Sequence, residues 1–415
     1  MIQKIQKSKI SGEIAAPSSK SALQRLIAGA FLAEGKSVIG YKTLSEDASA
    51  GLNLISSLGA TVEKGDDVIK ITGGFKNYVR NVIIGESGLG LRMFSPILAL
   101  NKNVFEITGK GSLLNRPVDF IVDTLKDFGV EINSNNGKLP LTIKGPYKNT
   151  KVDVDGEFSS QLLTGLLMAL PLTDKDSELS VSNLKSKPYI DLTIEILRKF
   201  GIEINHDNYE LFKIPANQKY KPINITTEGD WSGAAFLVVA GAIAGKIKIT
   251  GIDLNSAQGD KAIVEVVENA GAKVESIDNG LIITKNQLIA FEYDATDTPD
   301  LFPPLVALAI YCKGTTIIHG VNRLTHKESN RALTLKTEFE KIGAIITLEG
   351  DKMLIEGGKI NGTKVSSHHD HRIAMALAVA GLCAEGEMFI EDSGAVGKSW
   401  PDFFDDLENI GGIVR

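Results

Sequence analysis

Asp191-Leu192-Thr193-Ile194-Glu195-Ile196-Leu197-Arg198-Lys199-Phe200-Gly201-Ile202-Glu203-Ile204 carries a helix, its stop and a strand in one run. Apolar residues at helical spacing up to Phe200 predict an amphipathic surface helix. Gly201 falls where the C-cap belongs, and the alternation Ile202-Glu203-Ile204 predicts a half-buried strand. The same signature stands at Leu58-Gly59-Ala60, Phe128-Gly129-Val130, Ala270-Gly271-Ala272, Ile342-Gly343-Ala344 and Ile410-Gly411-Gly412. Successive glycines of the six are 70, 72, 70, 72 and 68 residues apart, so the chain is a six-fold repeat. Each unit supplies one surface helix and several strands.

Offset from these signatures are six segments that are apolar nearly all round and therefore read as buried helices. They begin near Lys20, Gly88, Ser160, Trp231, Leu301 and His371, at intervals of 68, 72, 71, 70 and 70 residues. The expected fold class is α/β, with buried helices surrounded by sheets. The last unit ends before its buried helix, and the first strand precedes the helix at Lys20, so closure joins the two chain ends in one lobe. With a boundary near Lys221-Pro222, this predicts a middle lobe of residues 15–226 and a discontinuous second lobe of residues 1–14 plus 227–415.

Composition narrows the function classes. A 415-residue chain with 43% hydrophobic and 23% charged residues builds two large lobes with real cores. Its net charge of −6 gives no support to nucleic-acid or anionic-membrane binding, so any cations that matter must be clustered. Cys312 and Cys383 sit in apolar runs with no partner at metal-ligand spacing, which argues against a disulfide framework or a zinc site and fits a reducing compartment. Ile2, Ile5 and Ile10 alternate with lysines without a continuous apolar core, and the apolar run Gly233–Gly245 is too short to span a bilayer, so a cytoplasmic protein is expected.

Polar residues collect at the starts of the buried helices: Ser18-Ser19-Lys20-Ser21 with Arg25, Glu86-Ser87-Gly88 with Arg92, Ser159-Ser160-Gln161, Asp230-Trp231-Ser232, Asp300, and Asp370-His371-Arg372. Helix N-termini offer free amide donors and positive dipole ends, and converging ones make an anion site. Capping accounts for part of Ser159 and Asp230. It does not account for Lys20, Arg25 or Arg372, because cations there oppose the dipole and need an anion. Further cations stand in loops, at Arg116, Lys187, Lys327, Arg331 and Lys398. His368-His369-Asp370-His371 lacks the other ligands a metal site would need, so no metal is expected. The glycines at 85, 88 and 90 match neither a P-loop nor a dinucleotide fingerprint.

Together these motifs resemble the enolpyruvyl transferases, and within them the branch that uses 3-phosphoshikimate. The most specific pieces are Pro17-Ser18-Ser19-Lys20-Ser21 with Arg25, Asp153-Val154-Asp155-Gly156 leading to Ser159-Ser160-Gln161, and Ser186-Lys187-Pro188-Tyr189-Ile190-Asp191. To these are added Pro299-Asp300, Lys327-Glu328-Ser329-Asn330-Arg331, Asp370-His371-Arg372 and Lys398-Ser399-Trp400-Pro401-Asp402-Phe403-Phe404. The resemblance covers essentially the whole chain. It implies a two-lobed fold of six βαβαββ repeats, three per lobe, with the active site in the interlobe cleft. It also implies transfer of the enolpyruvyl group of phosphoenolpyruvate to the 5-hydroxyl of 3-phosphoshikimate, by a monomer needing no cofactor.

By matching position, the resemblance implies that Lys20, Ser21, Arg25, Ser159, Ser160, Gln161, Ser186, Asp300 and Lys327 hold 3-phosphoshikimate. It assigns phosphoenolpyruvate to Lys20, Gly88, Arg116, Gln161, Arg331, Arg372 and Lys398. Asp300 would be the base on the 5-hydroxyl, with Glu328 and Lys20 as proton-transfer groups at the methylene carbon. The charges agree: two phosphate esters and two carboxylates carry about five to six negative charges near neutral pH, and seven of these residues are cationic. The chain departs from the family where Asn-Ala-Gly-Thr reads Glu86-Ser87-Gly88-Leu89, at Met93 and Ser18, and at Asn330 in place of an acid. A carboxylate at position 86 beside an anion site calls for a cation partner.

Two other readings remain. The sibling transferase acting on UDP-N-acetylglucosamine shares the reaction type but uses a loop cysteine as acid, and neither Cys312 nor Cys383 lies in such a loop. A non-catalytic anion-binding repeat protein would leave Asp300, Glu328 and Lys398 without a role.

Overall fold

The computed structural model describes residues 1–325 and 327–415. These form two compact units, one of Met1–Ser19 with Glu228–Arg415 and one of Lys20–Thr227. Twelve α-helices occur among the described residues, alternating buried and surface along the chain. The buried set is α1 (Lys20–Leu32), α3 (Gly88–Leu98), α5 (Ser160–Ala169), α7 (Trp231–Ala244), α9 (Phe302–Ala309) and α11 (His371–Gly381). The surface set is α2 (Glu46–Ser57), α4 (Asp119–Asp127), α6 (Lys187–Lys199), α8 (Ile263–Asn269), α10 (Arg331–Lys341) and α12 (Phe403–Asn409).

One repeat shows how the sequence dictates the unit. Asn81–Ile83 enters as an edge strand, α3 crosses over, and Val104–Thr108 returns parallel to the first strand. Then α4 packs outside, and the hairpin of Glu131–Asn135 and Lys138–Lys144 closes the sheet antiparallel. This is a βαβαββ order, and a parallel pair of this kind requires a crossover such as the buried helix provides. Among the described residues, six four-stranded sheets follow the plan, three drawn from each unit. In the first unit, Ile2–Gln6 lies between Glu387–Glu391 and Ile413–Val414, so strands from both chain ends complete one sheet.

The six signature glycines each follow a surface helix at positive φ, from +73° at Gly129 to +103° at Gly59 and Gly271. A side chain there would strain the left-handed turn that stops the helix. The buried helices need no amphipathic face, because sheets or neighbouring helices cover them on all sides. All fourteen residues of α7 are buried, and none carries a charge. Burial of each larger apolar side chain, such as Phe236 or Ile243, contributes about 1.5–3 kcal/mol. Where buried helices meet, small residues set the spacing: a Cβ on Gly165 of α5 would lie 2.6 Å from the Met93 carbonyl oxygen of α3. No described helix is long and apolar enough to cross a membrane.

Candidate active site

In the first unit, the polar starts of α9, α10 and α11 converge on Asp300. A short 3-10 turn, Pro299–Leu301, delivers Asp300 just ahead of α9. Its carboxylate caps no helix and is committed to cations instead. Arg331 donates to Asp300 Oδ1 at 2.7 Å, Arg372 donates to Oδ2 at 2.9 Å, and Lys327 Nζ lies 3.6 Å from Oδ1. Glu328 joins through Arg331, which donates from Nη2 to Glu328 Oε2 at 2.6 Å. Arg331 is itself anchored from behind, donating from Nε to Asp370 Oδ2 at 2.8 Å and from Nη2 to Oδ1 at 3.2 Å. Asp370 is fully buried and also caps α11 by accepting from the Arg372 amide at 3.0 Å. Lys398 donates to the His369 carbonyl at 2.9 Å, one residue before that cap.

This packing sets the protonation states. Burial favours the neutral acid at Asp300, but the combined field of Arg372, Lys327 and Arg331 overrides it, against opposition from Glu328. The carboxyl is thereby held well below the usual range. Lys327 moves the other way. Burial pulls its ammonium down to about 8, assisted by Arg331 and Arg323 and opposed by Asp300 and Glu328. Burial works against charge on Arg331 and Arg372 too, yet Asp370, Glu328 and Asp300 hold the first charged, and Asp300 leads in holding the second. The site therefore rests as an internally neutralised cluster of cations and carboxylates.

In the second unit, Ser21, Arg25, Ser159, Ser160, Gln161 and Ser186 mark the starts of α1, α5 and α6. Arg25 is buried and ties the three helices together. It donates to Thr193 Oγ1 at 2.9 Å, to the Ser21 carbonyl at 2.8 Å, and at 3.3 Å to both Thr164 Oγ1 and the Tyr189 carbonyl. Burial lowers its pKa to about 10. Ser159 caps α5 by accepting from the Gln161 amide at 3.2 Å, and Ser186 stands before α6 in a left-handed conformation with φ of 57°. Lys20, at the start of α1, faces Asp47 of α2 at 3.2 Å, so an internal carboxylate answers the cation that opposes the helix dipole.

Gly88, Arg116 and Gln161 meet in a second cluster of this unit, together with Arg92. Arg92 donates to Gln161 Oε1 at 2.8 Å, and its guanidinium lies over Phe120 and Phe158 at 5.5 and 5.9 Å. A Cβ on Gly88 would sit 2.8 Å from Arg116 Nη1 and 3.4 Å from Arg92 Nη1, so only glycine lets both guanidiniums approach the start of α3. Ser87 caps that helix through the Gly90 amide at 3.0 Å while donating to Gln24 Oε1.

The histidine run does not converge. His368 meets Glu338 at 2.7 Å, His369 lies 3.6 Å from Asp392, and His371 is buried in the first turn of α11. Among the described residues, no group of three or more His, Cys, Asp or Glu is placed to hold a metal ion. Burial pushes the Cys312 thiol up to about 12 and raises that of Cys383, so neither is poised as an acid.

This arrangement fits an anion site served by a carboxylate pair, and comparison with known proteins gives the family of the chain. The model of the family described as EPSP synthase (3-phosphoshikimate 1-carboxyvinyltransferase) matches residues 4–407. The chain belongs to the EPSP synthase family. A 3-phosphoshikimate 1-carboxyvinyltransferase of Clostridium novyi is 38% identical, with 99% of this chain and 98% of the relative covered. One of Clostridium perfringens is also 38% identical, over 98% of each. Among solved structures, EPSP synthase from Acinetobacter baumannii superposes with a TM-score of 0.84 at 26% identity, covering 100% of this chain and 99% of that one. The enolpyruvyl transferase NikO from Streptomyces tendae shares the fold at a TM-score of 0.82 and 17% identity, over 100% and 98%.

Two of the departures from the EPSP synthase family pattern, Glu86 and Asn330, have a visible local setting. Glu86 turns its carboxylate onto Gly111, where an added Cβ would meet Oε1 at 2.1 Å. Gly111 opens the turn that leads to Arg116, and its φ is +52°. Asn330, standing where the family carries an acid, caps α10 by accepting from the Leu333 amide at 3.3 Å. Sequence reasoning passed over Arg92 as a Gln161 partner, Asp47 beside Lys20, and Asp370 behind Arg331. For Asp370 a signal existed, since a carboxylate one residue before a buried helix is a cap that can also face a cation.

Proposed function

We propose that this EPSP synthase family member transfers the carboxyvinyl group of phosphoenolpyruvate to the 5-hydroxyl of 3-phosphoshikimate, releasing phosphate, as a step of the shikimate pathway toward chorismate and aromatic amino acids. The observation that carries the reading is Asp300, held as a carboxylate by Lys327, Arg331 and Arg372 with Glu328 one arginine away. The proposal includes a monomer working in the cytoplasm on these two small anions.

By the family resemblance, the residues proposed to act on the substrates are Asp300, Lys327, Glu328, Arg331, Arg372 and Lys398 of the first unit and Lys20, Ser21, Arg25, Gly88, Arg116, Ser159, Ser160, Gln161 and Ser186 of the second. Arriving phosphate and carboxylate groups take over cations now neutralised by the protein's own carboxylates. As Arg372 and Lys327 turn to substrate, Asp300 loses the field that suppresses its basicity and becomes able to accept the 5-hydroxyl proton. The 5-oxygen bonds to C2 of phosphoenolpyruvate while a proton reaches C3 from Glu328 or Lys20, giving a tetrahedral adduct. Loss of a C3 proton and cleavage of the C2–O bond to phosphate then regenerate the double bond. Positive charge developing at C2 and the departing phosphate are stabilised by fixed charges already in place.

Phosphate release from phosphoenolpyruvate decides the matter. It should require 3-phosphoshikimate, persist in EDTA, and fail with UDP-N-acetylglucosamine as acceptor. Activity lost in EDTA and restored by a divalent ion, or turnover with the nucleotide sugar alone, would overturn the reading.

A further inference from the structure

On α10, Glu338 stands seven residues after Arg331, two turns along the same helix face. Its side chain is fully buried, and four hydrogen bonds hold the carboxylate. Lys341 of the same helix donates to both oxygens at 2.8 Å, His368 Nε2 donates to Oε1 at 2.7 Å, and the Ser366 amide donates to Oε2 at 2.9 Å. Burial works against the charge, but these hydrogen bonds outweigh it and keep the carboxyl below the usual range. Ser366 and His368 belong to the segment that leads from the edge strand Lys364–Ser366 into α11. There His368 and His369 follow one another at φ of 51° and 58°, a left-handed conformation that is costly for any residue with a side chain. Ser367 ties the other side of the segment, donating from its amide to the Glu391 carbonyl at 3.1 Å and from its hydroxyl to the Asp392 carbonyl at 2.9 Å. The segment ends in two contacts of the candidate site: the His369 carbonyl, which accepts from Lys398, and the Asp370 carboxylate, which anchors Arg331.

We infer that Glu338 is a positioning residue for phosphoenolpyruvate: by bonding Ser366 and His368 it holds the left-handed turn at His368-His369, and so places the His369 carbonyl for Lys398 and the Asp370 carboxylate for Arg331. The inference rests on the proposed reading in which Arg331, Arg372 and Lys398 hold phosphoenolpyruvate. The helix α10 grips the segment at two points, through Arg331 to Asp370 at its start and through Glu338 to Ser366 and His368 two turns later. One attachment would leave the segment free to pivot. Two attachments about 10 Å apart on a rigid helix fix its path, and with it the direction in which the strained turn delivers its last carbonyl and carboxylate. Covering an edge strand needs no charge, since an apolar side chain of similar size would do that equally well. What the carboxylate adds is direction, because two charge-assisted hydrogen bonds to separate donors of the segment can be satisfied together in only one arrangement.

Kinetics of the full-length enzyme separate placement from mere support. Glu338→Gln keeps the size of the side chain but leaves one acceptor oxygen, so the Ser366 amide and the His368 ring no longer each have their own. The KM for phosphoenolpyruvate should rise about threefold to tenfold, while kcat and the KM for 3-phosphoshikimate change by less than about twofold. Mere support of the fold would lower kcat through loss of active enzyme and leave both KM values alone, and that outcome overturns the inference. His368→Ala supplies a second arm should Glu338→Gln fail to fold, because His368 is exposed and its loss removes one of the two bonds. It should raise the same KM by about twofold to threefold, and an unchanged value would count equally against the idea. Amide hydrogen exchange reads the segment without turnover. The Asp370 amide, bonded to the Ser367 carbonyl, and the Arg372 amide, bonded to the Asp370 carboxylate, should exchange faster in Glu338→Gln than in wild type. Unchanged exchange would sink the inference whatever the kinetics show, and faster exchange with an unaltered KM for phosphoenolpyruvate would sink it too. Wild-type turnover with the two substrates tests the parent reading separately, since an enzyme inert toward them fails there and not at Glu338.

Discussion

Arg372 donates to Asp300 at 2.9 Å from the first turn of α11, so the group proposed to bind substrate and the group proposed to take its proton neutralise each other at rest. Two problems are solved by one contact. The arginine, placed where it opposes the helix dipole, has an anion in the absence of ligand. The carboxylate is kept charged despite its burial and gains basicity when an anion claims the arginine. Removing water from both charges is costly, and on the proposed reading that cost is offset because each partner is needed separately in turnover.

Asp300→Asn should lower turnover at saturating substrate by about 10²–10⁴-fold, since an amide cannot accept the 5-hydroxyl proton. Its effect on stability has a defined pH signature. The folded-state pKa of Asp300 is depressed, so its stabilisation is present above the ordinary carboxylate value and is lost as pH falls through the depressed one. The melting-temperature gap between wild type and variant should therefore be largest near neutrality and close on acidification. Added phosphate should narrow it by neutralising the stranded cations. Near-normal kcat in the folded variant would reduce Asp300 to an ion-pair anchor.

Asp370→Ala tests the layer behind the site. Arg331 is almost wholly buried, and Asp370, fully buried, takes two of its hydrogen bonds. Breaking such a pair leaves an uncompensated charge, at a cost of about 3–5 kcal/mol, to which the lost cap of α11 adds about 1 kcal/mol. Denaturant unfolding should show a loss of this order. A loss below about 1 kcal/mol would mean that Glu328 and Asp300 suffice to hold Arg331.

Gly88→Ala should act on phosphoenolpyruvate before anything else. The new methyl would sit 2.8 Å from Arg116 Nη1, so that guanidinium must shift or turn away. The KM for phosphoenolpyruvate should rise by about tenfold or more, corresponding to at least one weakened charge-assisted hydrogen bond. The KM for 3-phosphoshikimate should change little. Equal effects on both substrates would show that α3 itself had moved.

The fold was legible because its signals are local and repeated. A glycine stop such as Gly201 and an all-apolar helix such as α7 have meaning within a dozen residues, and the six copies reinforce one another. Four of the cations of the first-unit cluster, Lys327, Arg331, Arg372 and Lys398, could be named as site candidates for the same reason: they stand in short motifs or oppose a helix dipole. Their resting partners were less legible. Asp47 lies 27 residues from Lys20 and Asp370 lies 39 from Arg331, distances that sequence spacing cannot bridge.

Lys327 offers a test read from proton uptake on binding. Burial brings its ammonium down to about 8, so near that pH the free enzyme holds the proton on only part of its molecules. A phosphate ester placed against Lys327 favours the charged form and raises the pKa, so binding 3-phosphoshikimate must draw a proton from solution. Calorimetric titrations at about pH 8 in buffers of different ionisation enthalpy should give an uptake of about half a proton per site. The uptake should fade at about pH 6, where Lys327 is already charged, although the ligand's own phosphate, with a pKa near 6, then releases or takes up protons and must be measured alone. Lys327→Arg should abolish the uptake at pH about 8 because arginine does not titrate there, while retaining a cation for the phosphate. Proton release, or uptake that survives Lys327→Arg, would remove Lys327 from the 3-phosphoshikimate site.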